Sequence, residues 1–333
     1  MSDNAQWFED NSPVDKAFKK DKVSGVSAKV VNMAILAGDC YPYTPIGINL
    51  PNAEWIRAEH GSKSVTVDNI MQAYHMSSLE SGMLDEFSYS KEEIERAKEW
   101  GFLGGCLHTD LHECLGHGSG KLLDGVGQDA LKNYHSTIEE ARADLFALYY
   151  IMDEKLIELG IVPSIEVAKS EYDSYIRGGL VVQLTRIEKG AVLEESHMRN
   201  RQIIAKWAYE KGYENKVIEK KIRDGKIFFI VNDYKALRGI FADLLREVQR
   251  IKSEGDFEAG KALVEDYGVT FDTEMHEEIL ERFKKLNLAP YAGFLNPKYK
   301  LVKEDNKIID VKLIYSESFT EQMLRYGSEY SFL

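Results

Sequence analysis

Residues 112–121 read HECLGHGSGK, and this stretch constrains the chain more than any other. For His112 and His117 to serve one metal ion, both imidazoles must lie on one face of whatever element carries them. At about 100° per residue, positions four apart on a helix diverge by about 40°, but positions five apart diverge by about 140°. A regular α-helix therefore separates this pair. One wide π-type turn brings positions five apart nearly into line, and such turns favour functional sites. Gly116 lies in the inserted stretch, where its missing Cβ eases the distortion. The spacing predicts a helix widened between His112 and His117, with Glu113 facing a metal-bound water without itself being a ligand.

A catalytic zinc takes three protein ligands and keeps one open position. The next segment, HSTIEEARADLFALYYIMDEKLIELG (135–160), has helical periodicity and a terminal glycine suited to a C-cap. Glu140 and Asp144 are i,i+4 on it and share a face. Glu140 is the predicted third ligand, and Asp144 the carboxylate that supports a ligand from behind. Glu139 points about 100° away, which predicts solvation. Cys114 lies about 200° round from His112 and is expected to face the core. Two histidines five apart on a helix are by themselves more often a chance or core pair than a metal site. Glu113 and the carboxylate-rich helix turn the balance toward one zinc per chain. GHGSGK also resembles a phosphate loop, but the run from Gly116 to Lys121 is one residue short, Leu122 replaces Ser/Thr, and the context is helical.

The rest of the chain reads as mainly α (α+β): a helical zinc-bearing lobe with a minor β component at the ends. SAKVVNMAILAGD suits a short buried helix. CYPYTPIGINLPNAEW is extended, because Pro and Asn favour extended or turn backbone. Helical spacing starts near 65. Ser90 and Glu93 form a capping box, and glycines 101, 104 and 105 predict two helices before the signature ends. Further helical patterns cover 164–178, 180–211, 233–253 and 256–267. KYKLVKEDNKIIDVKLIY (298–315) alternates and turns at Asp305-Asn306, a hairpin. A last helix starts at Ser318. The implied organisation is an N-terminal segment 1–37, an extended segment 38–60, a helical lobe 61–297, and a C-terminal hairpin and helix 298–333.

Acidic residues outnumber basic ones 55 to 42, a net charge of −13, which argues against nucleic acid or an anionic membrane as partner. Three irregularly spaced cysteines, Cys40, Cys106 and Cys114, argue against a disulfide framework and for a reducing compartment. With no signal-peptide pattern and no apolar run of about 20 residues, a cytoplasmic protein is expected.

HECLGH followed by EEARAD resembles the H-E-x-x-G-H and E-E-x-x-A-[ED] motifs of the dipeptidyl peptidase III family of zinc exopeptidases, in its bacterial type. GINLPN resembles the family segment whose asparagines hold the substrate backbone, which maps onto Asn49 and Asn52. HMRNR resembles the segment whose histidine assists the transition state and whose arginine holds substrate, which maps onto His197 and Arg201. Read from the residues alone, Asn49 and Asn52 are turn residues, and His197 and Arg201 a solvated helix face; the resemblance promotes them.

The resemblance implies a zinc-dependent dipeptidyl peptidase acting on short peptides. Zinc would be held by His112, His117 and Glu140, with Glu113 as general base and His197 stabilising the oxyanion. Asn49, Asn52 and Arg201 would place the peptide. Family members are about twice as long, so a missing N-terminal lobe is expected to complete the cleft, and the isolated chain could be inactive. A zinc-binding module without activity and another zinc hydrolase, such as an endopeptidase, are the competing readings.

Overall fold

The structure is a computed structural model that describes residues 1–23, 26–36, 45–50, 56, 60, 62–288 and 294–331. Among the described residues helices dominate, and three small sheets accompany them. The helix His135–Ile151, called the carboxylate helix below, runs through the middle of the core. Ile138, Ala141, Leu145, Phe146, Leu148, Tyr150 and Ile151 are all buried, covering every side of it. A helix that buries apolar residues on every side is stable only when surrounded. Here it packs against the widened turn of the signature, Ser196–Lys211 and Tyr234–Glu254.

The signature helix Lys91–Leu111 starts with the expected capping box, Ser90 accepting from the Glu93 backbone while Glu93 reaches back. It is one continuous helix through Gly101, Gly104 and Gly105, not two. Gly104 shows why: a Cβ there would lie 3.2 Å from the Val167 carbonyl oxygen. The glycine admits the neighbouring helix Glu166–Leu180, and that contact offsets the roughly 1 kcal/mol helix cost of Gly relative to Ala.

The N-terminus is part of the same core. Phe8, on the helix Ala5–Asn11, is fully buried with its ring edge-on to Tyr150 at 4.8 Å. The Tyr150 hydroxyl donates to the Phe8 carbonyl oxygen.

Where a buried helix is expected in SAKVVNMAILAGD (27–39), the stretch opens as strand β1, Val26–Val31, which pairs in parallel with β3, Ser62–Val67; residues 32–36 are in no helix or strand, and 37–39 lie outside the described residues. The valines of β1 suit the pleat better than a helix. Strand β2, Gly47–Leu50, pairs antiparallel with β3, giving the order β1-β3-β2 with β2 at an edge. The pattern at 180–211 is also broken. Glu166–Leu180 passes into a short 3-10 turn, Val182–Arg186, and the next helix starts only at Ser196.

A hairpin in mid-chain, β4 Ile218–Arg223 with β5 Lys226–Val231, adds strand beyond the ends. It turns through Asp224 and Gly225, both at positive φ, as a tight two-residue hairpin requires. The C-terminal hairpin is β6 Lys298–Glu304 with β7 Lys307–Ile314, turning at Asp305 and Asn306 (φ 48 and 62). The helix Phe319–Tyr330 follows, with a capping box of Ser318 and Glu321. Among the described residues, no helix is long and apolar enough to cross a membrane.

Candidate metal centre

The signature helix changes winding where the sequence requires it. Residues His112–Gly116 form a π turn, and the His117 N–H donates to the His112 carbonyl oxygen at 3.0 Å, five residues back. The two imidazoles come together at 4.7 Å between ring centroids, at 90° to each other. Gly116 serves this geometry differently from the expectation. A Cβ there would lie 2.9 Å from both Ala143 Cα and the Ala143 carbonyl oxygen. The missing side chain lets the turn press against the backbone of the carboxylate helix.

That contact brings Glu139, Glu140 and Asp144 against the two histidines. His112 Nδ1 lies 2.6 Å from Asp144 Oδ1, and His117 Nδ1 lies 2.8 Å from Glu139 Oε1. A carboxylate only accepts, so each ring carries its proton on Nδ1 and presents Nε2 to a metal. Both Nε2 atoms face Glu140 Oε2, at 3.2 Å from His112 and 3.9 Å from His117. This oxygen is buried and makes no aligned hydrogen bond. The spacings bracket the edge of a tetrahedron with zinc–ligand bonds of about 2.0–2.1 Å, which is about 3.3–3.4 Å. Two imidazole nitrogens and one carboxylate oxygen form a donor set suited to a divalent zinc ion. The residues present therefore fit the metal.

Glu139 is not solvated as expected. Its side chain is largely buried, and besides His117 it takes two hydrogen bonds from Arg142, at 2.7 and 2.9 Å, and one from Lys252 at 2.6 Å. Burial would raise its pKa, but the charges of Arg142 and Lys252 and these hydrogen bonds outweigh burial and hold it well below the ordinary carboxylate range. Asp144 is held down likewise: burial opposes ionisation, and hydrogen bonds from His108 and His112 prevail. Burial alone would lower the His112 pKa, but the hydrogen bonds and charges of Asp144 and Glu140 together lift it to about 10.

Sequence reasoning missed four groups around Asp144. His108 Nε2 lies 3.1 Å from Oδ1, while Tyr175 and Asn200 donate to Oδ2 at 2.7 and 2.9 Å. Glu171 stands on the far side of His108, 2.9 Å from its Nδ1. His108 is one turn before His112, so i,i+4 spacing was a usable signal. Tyr175 and Asn200 arrive from other helices and leave no local trace.

The remaining expected residues are placed as follows. Glu113 lies beside Gly47, the first residue of β2, where a Cβ would be 3.4 Å from Glu113 Oε1. Asn49 lies on β2 opposite Ser64; its side chain and the whole of Asn52 lie outside the described residues. Glu195 caps the helix Ser196–Lys211, accepting from the His197 and Met198 N–H groups and contacting His197 Nδ1 at 2.6 Å. His197 Nε2 then comes within 3.5 Å of Glu140 Oε2. Arg201 is one turn on, within electrostatic reach of Tyr175. Cys114 is buried in the hydrophobic core, its thiol pushed up to about 12 chiefly by burial.

The GHGSGK loop is occupied internally. Gly120 adopts φ +67 and donates its N–H to Glu9 Oε1 at 2.9 Å, and the Lys20 ammonium donates to the Gly118 carbonyl oxygen at 2.6 Å. Arg142 donates to both the backbone and side-chain oxygens of Ser119. A loop whose amide already holds a carboxylate does not cradle phosphate.

The model of peptidase family M49 matches residues 1–134 and 127–290. Dipeptidyl peptidase 3 of Mus musculus is 24% identical over 352 residues, covering 92% of this chain and 47% of that protein. Nudix hydrolase 3 of Arabidopsis thaliana is 28% identical over 293 residues, covering 85% of this chain and 35% of that protein. The solved structure of DPP III from Caldithrix abyssi superposes with a TM-score of 0.68 at 26% identity, covering 85% of this chain and 51% of that one. The chain thus spans between about a third and about half the length of these curated relatives. With the family model matched along most of its length, this chain belongs to peptidase family M49.

Proposed function

We propose that this chain is the metal-bearing part of a zinc-dependent peptidase that releases dipeptides from the N-terminus of short peptides. One observation carries the reading. Two imidazoles, each fixed through Nδ1 by its own carboxylate, converge through Nε2 on the Glu140 carboxylate. His112, His117 and Glu140 are the proposed ligands, for one zinc ion per chain, and Asp144 orients His112. Bound zinc would lower the pKa of a water and polarise the scissile carbonyl.

The chain's own groups do the rest. Glu113, adjacent to His112 and overhung by β2, takes the proton from the attacking water and passes it to the leaving amine. His197 donates toward the oxygen on which negative charge develops, a contribution of about 3–4 kcal/mol for such donors. Its Nδ1 is anchored by Glu195, which leaves Nε2 directed at the site. Strand β2 is an edge of its sheet and abuts Glu113. Asn49, Asn52 and Arg201 are proposed to hold the peptide alongside it as an added strand. A cytoplasmic setting is part of the same proposal, supported by Cys106 and Cys114 being free thiols.

Metal analysis of the purified chain, with hydrolysis assays on free and N-acetylated peptides, tests the reading. Glu113→Gln is expected to retain zinc and lose about 10²–10⁴-fold in turnover. A chain that binds no zinc refutes the metal assignment. Zinc without hydrolysis, in this chain and in one extended to the length of its relatives, makes it a binding module. Equal cleavage of acetylated peptides makes it an endopeptidase.

A further inference from the structure

We propose that His108 is a positioning residue for the metal centre: it clamps Asp144, and through Asp144 fixes the orientation of the His112 ring. The inference rests on the metal reading above. An ionised carboxylate offers about four lone-pair sites, and those of Asp144 are all engaged. His112 and His108 share Oδ1, and Tyr175 and Asn200 share Oδ2. His108 is itself fixed on two sides. Its ring lies against Tyr175 at 5.5 Å between centroids and 12° between planes, and its Nδ1 is 2.9 Å from Glu171 Oε1.

Both nitrogens of His108 thus face carboxylate oxygens. Carboxylates only accept, so Nε2 donates to Asp144, while Nδ1 meets Glu171 as a close but unaligned ion-pair contact. The chain Glu171–His108–Asp144–His112 joins the helix Glu166–Leu180 to the proposed metal ligand. Its links of 2.9, 3.1 and 2.6 Å are shorter than the roughly 3.3 Å between two ligands on one tetrahedral zinc. The cluster is therefore a line of charge-assisted contacts and not a second ion site. Removing His108 leaves Oδ1 with one partner in a buried setting, free to turn away from His112.

A double-mutant cycle tests this. Zinc affinity is measured by competition with a chromophoric chelator for the wild-type chain, His108→Gln, Asp144→Asn and the double variant. Loss of a group that orients a metal ligand typically costs about 10–100-fold in affinity, expected for Asp144→Asn. His108→Gln, acting one link further out, is expected to weaken zinc about 3–10-fold and to shift the visible spectrum of the cobalt-substituted protein. In the Asp144→Asn background the same change is expected to cost less than about twofold, because the group it acts through is gone. Unchanged affinity in His108→Gln, or full additivity in the double variant, overturns the inference. A wild-type chain that binds no zinc overturns the metal reading as well, so the two failures are distinct. Should His108→Gln fail to melt cooperatively, Glu171→Gln carries the test through the far nitrogen. A two- to fivefold weakening supports the inference, and an unchanged affinity overturns it.

Discussion

Replacing Gly116 with alanine tests the reasoning at its tightest contact. The added Cβ would meet Ala143 Cα and its carbonyl oxygen at 2.9 Å and Ala143 Cβ at 3.0 Å. Carbon atoms pack best at about 3.5–4.0 Å, so the π turn and the carboxylate helix must separate by roughly 0.5–1 Å. Neither can yield locally, since the opposing atoms belong to the backbone of a helix buried on every side. His117 is the next residue, and its 2.8 Å bond to Glu139 would stretch past the range of a hydrogen bond. Overpacking a core costs about 1–3 kcal/mol, and a lost hydrogen bond to a charged group about 1.5–3. Gly116→Ala should therefore destabilise the protein by about 2–5 kcal/mol and weaken zinc binding. Urea denaturation at unchanged m-value, with zinc titration, measures both. Gly105→Ala is the control: it lies on the same helix with nothing within 4 Å of the new Cβ, so it should stabilise by about 0.5–1 kcal/mol. A Gly116→Ala protein as stable and as zinc-avid as its parent would refute the claim that close approach explains this glycine.

Other outcomes follow from the same contacts. Glu139→Gln leaves the Arg142 guanidinium and the Lys252 ammonium without their shared buried anion and should cost about 3 kcal/mol at neutral pH. Because folding holds the Glu139 pKa below its unfolded value, its contribution is complete above about pH 4.5 and lost as pH falls through the depressed folded pKa. The stability gap between parent and variant, followed by urea melts from pH 7 to pH 3, should narrow only at the acid end. Phe8→Ala empties a fully buried site against Tyr150 and should lower stability by about 3–5 kcal/mol in a thermal or urea melt; a smaller loss would mean that the first helix is dispensable to the core.

What the sequence disclosed of the fold was mostly local. Both capping boxes, the helices 234–254 and 257–267, and the Asp305-Asn306 turn follow from rules acting within a few residues. The failures share a cause. Gly104 breaks a helix on propensity alone, and only the approach of Val167 explains why it does not. Strand β1 depends on a partner some 36 residues away, with Val26 opposite Ser62. The hairpin 218–231 shows alternation weakened by lysines at its solvent edge, and no spacing within it foretells that Phe228 is buried.

At the candidate site the sequence contained more than one helical wheel revealed. Glu139 points away from Glu140 yet stays out of solvent, because His117 and Lys252 cover that side of the helix. Two spacings of five stand side by side here. His112 and His117 are separated by five residues, and so are Glu139 and Asp144. The first interval is wound as a π turn, which brings its ends together around one point. The second remains regular α-helix, so its ends diverge by about 140° on either side of Glu140. Two perpendicular imidazoles have their outer nitrogens facing apart, and a divergent pair of carboxylates reaches both. A widened turn on one helix thus needs an ordinary turn opposite it. Shortening HECLGH to a four-residue histidine spacing would leave Glu139 and Asp144 too far apart to hold both rings. Deleting Leu115 should accordingly cost zinc affinity, although it creates the commoner H-E-x-x-H arrangement; equal or tighter zinc binding in that variant would show that the two spacings are not coupled.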